Sequence, residues 1–468
     1  MSGFYRRTAS AWRQRKESWN EHSDYAPAGA GTLGGGALAL MAGGCQTTGR
    51  GGRGGTWFRG NLHMHTYWSD GRAFPEQAVD IYKRLGYNFI ALSEHNVFAD
   101  EPDHWKTVEK EETKWPPDVT PPVFDAYLRD YPQEAETRQS GDKTQVRLKT
   151  YEEMRQRSEI PGEFLLMPGV EMTSARDGVN VHQNYINLPD VIPYVKGGPL
   201  VKDFKGGGLD ETAVMRHTAR EAAAMAAAMK RPHLLMLNHP QWVYWDIQPR
   251  FLIENPEIRF FEVCNGGSSF APHPDAQNVT LDSFWDAVNA FRAIQGTPLL
   301  FGVGSDDTHY YINRTPNQRI ADAWVMVRAN QLSADALLKA MHAGDFYAST
   351  GVSLEDITFK PRRRTLRVSV QAEPGVNYRI RFIATKRGFD QSVRTVDSPA
   401  VKGHTARTIP VYSPEIGQTV DLVEGVEASY RMAHDDLYVR AKIESSVNSD
   451  YKCHFHPEVQ VAWTQPYA

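Results

Sequence analysis

The sequence predicts an α/β protein: a parallel sheet closed into a β/α barrel, followed by a small all-β sandwich. Three observations predict it. Between residues 57 and 350, short apolar runs of strand length alternate with segments of helical period. After Gly351 the pattern changes to the two-residue alternation of half-buried strands. Hydrophobic residues make up 41% and charged residues 23% of the chain, a soluble globular balance that excludes disorder, collagen and coiled coil for most of it. At 468 residues the chain is long for one domain. The expected division is an export signal and flexible linker over 1–56, a barrel over 57–350 with an insertion at about 97–149, and a β-sandwich over 351–468.

Residues 1–56 lack the pattern of folded protein. Arg6-Arg7 opens a polar segment, a Gly/Ala-rich stretch with Leu33, Leu38 and Leu40 follows, and Cys45 leads into a Gly/Arg tether. This order resembles a bacterial lipoprotein export signal, with Cys45 as the lipidated residue and the paired arginines like a twin-arginine signal. Ala42 stands where such a signal prefers Leu, and Glu17, Glu21 and Asp24 interrupt it. Two readings therefore stand: an exported, periplasmic or lipid-anchored protein, or a cytoplasmic one with a Gly-rich tail. No apolar run is long enough for a transmembrane helix. A net charge of −4 gives no field to attract nucleic acid, and three cysteines are too few for a disulfide framework.

In the body, 61–65 reads as a strand. Pro75 opens a helix at its first position and Gly86 stops it. The apolar run 88–92 suits a buried parallel strand. Thr150 with Glu153 makes a capping box. Further strands are expected at 164–167, 234–237, 260–264, 299–303 and 324–327. Helices are expected at 212–229, 279–293 and 333–343, the last closed by Gly344. Residues 97–149 break the rhythm: dense in Glu, Lys and Pro, with Trp105 and Trp115, they read as a long loop, either covering the barrel mouth or running over the surface. Beyond Gly351, 366–370, 378–382 and 437–443 alternate as strands. The basic run 360–364 reads as a hairpin turn, and the region as a packing or lid element.

The chemistry lies at the strand ends. His63 and His65, two apart on a strand, leave the same face, as two ligands of one ion require. Asp70 follows in Ser69-Asp70-Gly71, a turn able to swing a carboxylate back. His95, Glu171, His182, His239, Asp307 and His309 each come just past or beside an apolar run. Each alone is weak; together, all of metal-ligand type, they predict a site of two or three divalent ions. Six imidazoles and three carboxylates exceed the roughly four ligands of one tetrahedral ion. Without an all-thiolate set, Zn, Mn or Fe fit, whereas Ca or a purely structural Zn does not.

These motifs, His63-Met64-His65-Thr66 with Ser69-Asp70-Gly71, Ala91-Leu92-Ser93-Glu94-His95-Asn96, Gly169-Val170-Glu171, Asn238-His239-Pro240 and Gly304-Ser305-Asp306-Asp307-Thr308-His309, resemble the polymerase and histidinol phosphatase (PHP) superfamily of metal-dependent phosphoesterases. The chain is similar to its secreted or periplasmic branch, whose members begin near a Trp-Phe-x-Gly-Asn strand and end in a β domain. The resemblance implies a distorted seven-stranded β/α barrel with a trinuclear site at its mouth. It implies His63, His65, Glu171 and Asp307 around one ion, Glu171, His182 and His239 around a second, and Asp70, His95 and His309 around a third. Glu94 stands where the family usually has Asp, and is expected to orient His95. Asp306 is a minor alternative to Asp307 as ligand.

An ion cluster of this kind ionises a water near neutral pH and neutralises charge in an in-line displacement, which suits a phosphate mono- or diester. Glu171 and Asp307 are expected to bridge the ions and position the hydroxide. Arg176, Asn265 and Arg314 are candidate substrate contacts, with Lys202 and Lys205 also in loops that could reach the mouth. Cys264 reads as a core residue, and Glu262 as facing either the pocket or the core. A metal-dependent amide or carbamate hydrolase is the alternative on the same scaffold. A binding module without turnover is disfavoured, because all nine ligand positions are filled.

Overall fold

The computed structural model describes residues 54–112, 116–176, 179–192, 211–240, 247–267, 280–312, 319–398, 407–449 and 458–468. The chain divides into two units, Met1–Thr48 and Gly49–Ala468. The first lies outside the described residues, and with it the Arg6-Arg7 and Cys45 reading; Trp115, Lys202, Lys205 and Arg314 lie outside them too.

Within the second unit the protein is mixed α/β, built on one large sheet. Strand β1 (Thr56–Asn61) leads to helix α1 (Pro75–Arg84) and β2 (Phe89–His95). An insertion follows: β3 (Trp105–Thr107), α2 (Pro121–Asp130), β4 (Thr137–Ser140) and β5 (Lys143–Arg147). Then come α3 (Tyr151–Ser158), β6 (Leu165–Arg176), β7 (Val179–Ile186), α4 (Glu211–Met229), β8 (Leu234–Leu237) and α5 (Pro249–Glu254). The body ends with β9 (Phe260–Asn265), α6 (Leu281–Gln295), β10 (Phe301–Ser305), β11 (Trp324–Ala329), α7 (Ala334–His342) and β12 (Phe346–Ser349).

The signals read from sequence act where expected. In α1, Pro75 sits at the first turn, Lys83 and Arg84 occupy the last, and Ala78, Val79 and Tyr82 are buried. Thr150 and Glu153 form their reciprocal cap on α3. Gly344, the expected stop of the helix at 333–343, has a positive φ of 75° just past α7.

The sheet departs from the all-parallel expectation. Its order is β10-β9-β8-β7-β6-β2-β1-β11-β12, and it continues into later strands. The pairs β1–β2, β2–β6, β8–β9 and β9–β10 are parallel; β6–β7, β7–β8, β1–β11 and β11–β12 are antiparallel. The cause is local. No helix separates β6 from β7, so the chain returns as a hairpin, and only a crossover connection can give a parallel neighbour.

The region 97–149, expected to be a long loop, carries its own antiparallel sheet in the order β3-β5-β4. It packs on the body through buried aromatics: the Tyr127 hydroxyl donates to Glu76 Oε1 at 2.8 Å, and the Trp68 indole donates to the Lys149 carbonyl at 2.8 Å.

After Gly351 come β13 (Leu354–Lys360), β14 (Thr365–Val370), β15 (Tyr378–Lys386), β16 (Arg394–Ser398), β17 (Arg407–Val411), β18 (Gln418–Glu424), β19 (Glu427–Arg431), β20 (Asp436–Asn448) and β21 (Val459–Thr464). Strands β21, β20, β15 and β18 extend the large sheet from β12; β13, β14 and β19 form a second. Phe359, Leu366, Val368, Ile380, Phe382 and Ile443 belong to the apolar core that the two sheets share. Arg440 of β20, fully buried, ties this region to α6 by pairing with Asp286 at 2.6 Å and Asp282 at 2.9 Å.

Candidate metal centre

The parallel ladder sets the site. His95 of β2 is the register partner of Glu171 of β6, and Glu171 that of Asn184 of β7; Thr173 faces His182 one step on. Register partners share a face, and residues two apart on a strand share one. His95, Glu171, Thr173, His182 and Asn184 therefore project together. Residues 63–65 lie just beyond β1 and run beside the segment after β10. The His65 N–H donates to the Thr308 carbonyl at 3.0 Å and the Asp307 N–H to the His63 carbonyl at 2.9 Å. The Ser-Asp-Gly turn returns as expected: a Cβ on Gly71 would lie 2.3 Å from the His65 carbonyl, so only glycine allows the approach.

Three overlapping clusters result, the donor atoms of each within 4.8 Å of one another: His63, His65, Glu171 and Asp307; His65, Asp70, His95 and His309; and His95, Glu171 and His182. His63 and His65 Nε2 each lie 3.1 Å from Glu171 Oε2, and 3.2 and 3.1 Å from Asp307 Oδ1. Asp70 Oδ1 is 3.4 Å from His95 Nε2 and 3.2 Å from His309 Nε2. His182 Nδ1 is 3.0 Å from the other oxygen of Glu171. His239 stands slightly further out, 3.6 Å from Glu171 and 3.9 Å from Asp307.

These spacings fit a metal centre. Ligands at about 2.1 Å from a tetrahedral ion lie about 3.4 Å apart, the scale observed. His63 Nε2 and Glu171 Oε2 are buried with no hydrogen-bond partner among the described residues, a costly arrangement unless a cation meets their lone pairs. The donors are imidazole and carboxylate only, as Zn, Mn and Fe prefer.

The electrostatics match. Burial works against a charged His63, yet Asp307, Glu171 and Glu262 hold its affinity for a proton well above that of an ordinary histidine. Against the same burial, Asp307 and Glu171 push His65 up to about 10. Burial raises Glu171 and Asp307, but the surrounding imidazoles bring both well below the usual carboxylate range. Burial takes His182 down to about 4, despite Glu171 beside it.

Backbone strain concentrates here. Asn96, His239 and Asp307 have positive φ of 51°, 21° and 51°, each costing roughly 1–3 kcal/mol. Each amide is held by the site itself: Asn96 N–H by the Glu171 carbonyl, Asp307 N–H by the His63 carbonyl, and His239 N–H by the Glu262 carboxylate.

Several expectations are refined. The carboxylate of Glu94 accepts from Thr66 N and Oγ1 and from Ser69 Oγ, at 3.0, 2.6 and 2.5 Å, and so fastens the turn beside His65. Asp306 faces away from the clusters, accepting from the Tyr82 hydroxyl at 2.9 Å and from the backbone N–H groups of Ala321, Asp322 and Ala323. Asn265 is buried, its amide donating to Glu262 at 2.8 Å and Asp307 at 3.2 Å. Arg176 ends β6, its side chain outside the described set. Cys264 is buried in β9, as a core residue should be. Sequence reasoning passed over Asn238 and Asn184: Asn238 donates to Glu171 Oε1 at 2.8 Å and is braced by Asn184. Their positions, beside His239 and two after His182, were the available signal.

No protein-family model matches the chain, and no curated protein matches it. Solved structures do. A two-domain protein from Bacteroides vulgatus, containing a predicted PHP-like metal-dependent phosphoesterase, is 15% identical and aligns over 88% of this chain and 96% of its own, with a TM-score of 0.34. A candidate metal-dependent phosphoesterase from Bifidobacterium adolescentis is 12% identical over 60% and 95%, with a TM-score of 0.29. An amidohydrolase from Chromobacterium violaceum with bound sulfate is 13% identical over 54% and 87%, with a TM-score of 0.26. At these scores the likeness carries no further weight, and the reading of the site rests on its geometry.

Proposed function

We propose that the chain is a PHP-type metal-dependent hydrolase whose substrate is a phosphate mono- or diester. The observation that carries this is the convergence of eight imidazole and carboxylate residues, far apart in sequence, at ion-ligand spacing, with His239 slightly further out beside them. His63, His65, Glu171 and Asp307 would hold one ion, Asp70, His95 and His309 another, and His182 and His239 with Glu171 a third. Two or three ions of Zn, Mn or Fe suit this set. Bound there, such ions supply Lewis acidity and a water that ionises near neutral pH.

The chain's own residues do the positioning. Glu171 turns Oε2 to His63 and His65 and Oε1 to His182, so one carboxylate spans two clusters. Asp307 turns Oδ1 to the same two histidines and Oδ2 toward His239. His309 donates from Nδ1 to the Asp307 carbonyl at 2.9 Å, which leaves Nε2 as the electron-pair donor facing Asp70. Asn238 fixes the rotamer of Glu171. We further read β1, β2 and β6–β10 as a distorted barrel with this site at its mouth, the strands after Gly351 as a β-sandwich, and residues 1–56 as an export segment with Cys45 as a lipid anchor. Arg176 and Arg314 remain candidate phosphate contacts.

The test is chelation followed by Mn or Zn, with p-nitrophenyl phosphate, bis-p-nitrophenyl phosphate and p-nitrophenyl carbamates assayed side by side. Metal-restored phosphoester hydrolysis is expected. Turnover of the carbamate alone would replace the phosphoesterase reading with the amide or carbamate hydrolase.

A further inference from the structure

Outside the nine candidate ligands, one fully buried carboxylate touches the centre at several points. Glu262 lies in β9, in register with Val303 of β10, with 0% of its surface exposed. Its Oε1 accepts from His63 Nδ1–H at 2.6 Å and from the Ser305 hydroxyl. Its Oε2 accepts from the His239 backbone N–H at 2.6 Å and from Asn265 Nδ2 at 2.8 Å; that amide also reaches Asp307 Oδ2 at 3.2 Å.

We propose that Glu262 is a positioning residue of the candidate centre: one carboxylate that fixes the tautomer of His63, the strained backbone of His239 and, through Asn265, the carboxylate of Asp307. The inference rests on the metal-centre reading above and extends it to a residue of β9 outside the nine candidate ligands. The chemistry is direct. An ionised carboxylate can only accept, so His63 keeps a proton on Nδ1, and an ion that displaces the other proton meets the Nε2 lone pair facing Glu171 and Asp307. A negative charge behind the ring also makes that nitrogen a stronger donor. His239 has a φ of 21°, a conformation that persists only when something holds the amide, and Oε2 does. Glutamine has the same shape, but its NH2 group cannot accept, so one of the two edges must fail in Glu262→Gln.

The experiment uses the full chain, stripped with chelator and titrated with Co²⁺. Visible absorption bands, bound-metal analysis and circular dichroism are followed together. Glu262→Gln is expected to keep a native dichroism spectrum, to bind Co²⁺ roughly 10–100-fold more weakly, and to shift the Co²⁺ bands as a ligand is reoriented. Ser305→Ala removes one donor to the same carboxylate, and a loss of roughly threefold to tenfold is expected. Equal affinity and unchanged bands in Glu262→Gln would overturn the role of Glu262, because a residue that only supports the fold lowers the melting temperature without moving the spectrum. If Glu262→Gln does not fold, unchanged affinity and bands in Ser305→Ala overturn it instead. A wild-type chain that takes up no Co²⁺ fails in a different way, overturning the reading of the site itself.

Discussion

Glu76 offers a clean perturbation away from the nine ligands. It sits in the first turn of α1, fully buried, with the Tyr127 hydroxyl of the insertion donating to its Oε1. Burial pushes its carboxyl up from 4.5 to about 7, against the opposing pull of that hydrogen bond. The sign is fixed by which state ionises first. Below pH 4.5 both the folded and the unfolded chain carry the proton, and Glu76 contributes no pH dependence. As pH rises toward 7, the unfolded chain releases the proton while the folded chain keeps it, so folding stability falls. At about 1.4 kcal/mol per unit, the full loss above neutrality is about 3 kcal/mol. Glu76→Gln keeps the acceptor for Tyr127 but has nothing to titrate. In urea denaturation across pH 4 to 8, the variant should gain on the wild type as pH rises, reaching about 3 kcal/mol at pH 8. Parallel curves for the two proteins over that range would refute the reasoning.

Other outcomes follow from the same structure. Arg440→Met strands Asp286 and Asp282 in the contact between α6 and β20 and should cost about 3–5 kcal/mol in denaturant melts; adding Asp286→Leu should recover part of it. His239→Ala should lose both bound metal and turnover, and full activity would exclude His239 from the ligand set. Asp306→Asn should lower stability by about 1–3 kcal/mol, because its carboxylate anchors the Ala321–Ala323 backbone, while leaving metal content unchanged. Asp307→Asn should do the reverse, with metal lost and the fold kept; equal metal loss in both variants would show that the two aspartates had been given the wrong roles.

Much of this was legible in the sequence because the signals are local. Pro75 and Gly86 bracket α1, Thr150 caps α3, and the apolar run ending in Ser93-Glu94-His95 marks β2. The candidate ligands were legible for a related reason: strand ends are where a β/α fold exposes chemistry, and imidazoles placed there form a pattern across the chain. What stayed hidden depends on pairings between distant residues. The hairpin return of β6 into β7 turns on the absence of a helix between them, and periodicity alone does not distinguish the two strand directions. Residues 97–149 build a sheet from short polar strands such as Thr-Arg-Gln-Ser, which carry no alternating apolar signal. The contacts of Glu94 with Thr66 and Ser69 could not be read from its residue type, because they join two strand ends nearly thirty residues apart. Glu262 read only as facing either the pocket or the core, and Asn238 only as the neighbour of His239 in its motif, since what distinguishes them is the partner each meets across the sheet.

Elemental analysis of the purified full chain, before and after chelation and after titration back with Zn or Mn, addresses the centre itself. Two or three ions per chain, each removable and restorable in step with hydrolysis, is the result the ligand geometry requires. Hydrolysis that persists at full rate in a metal-free chain would contradict it.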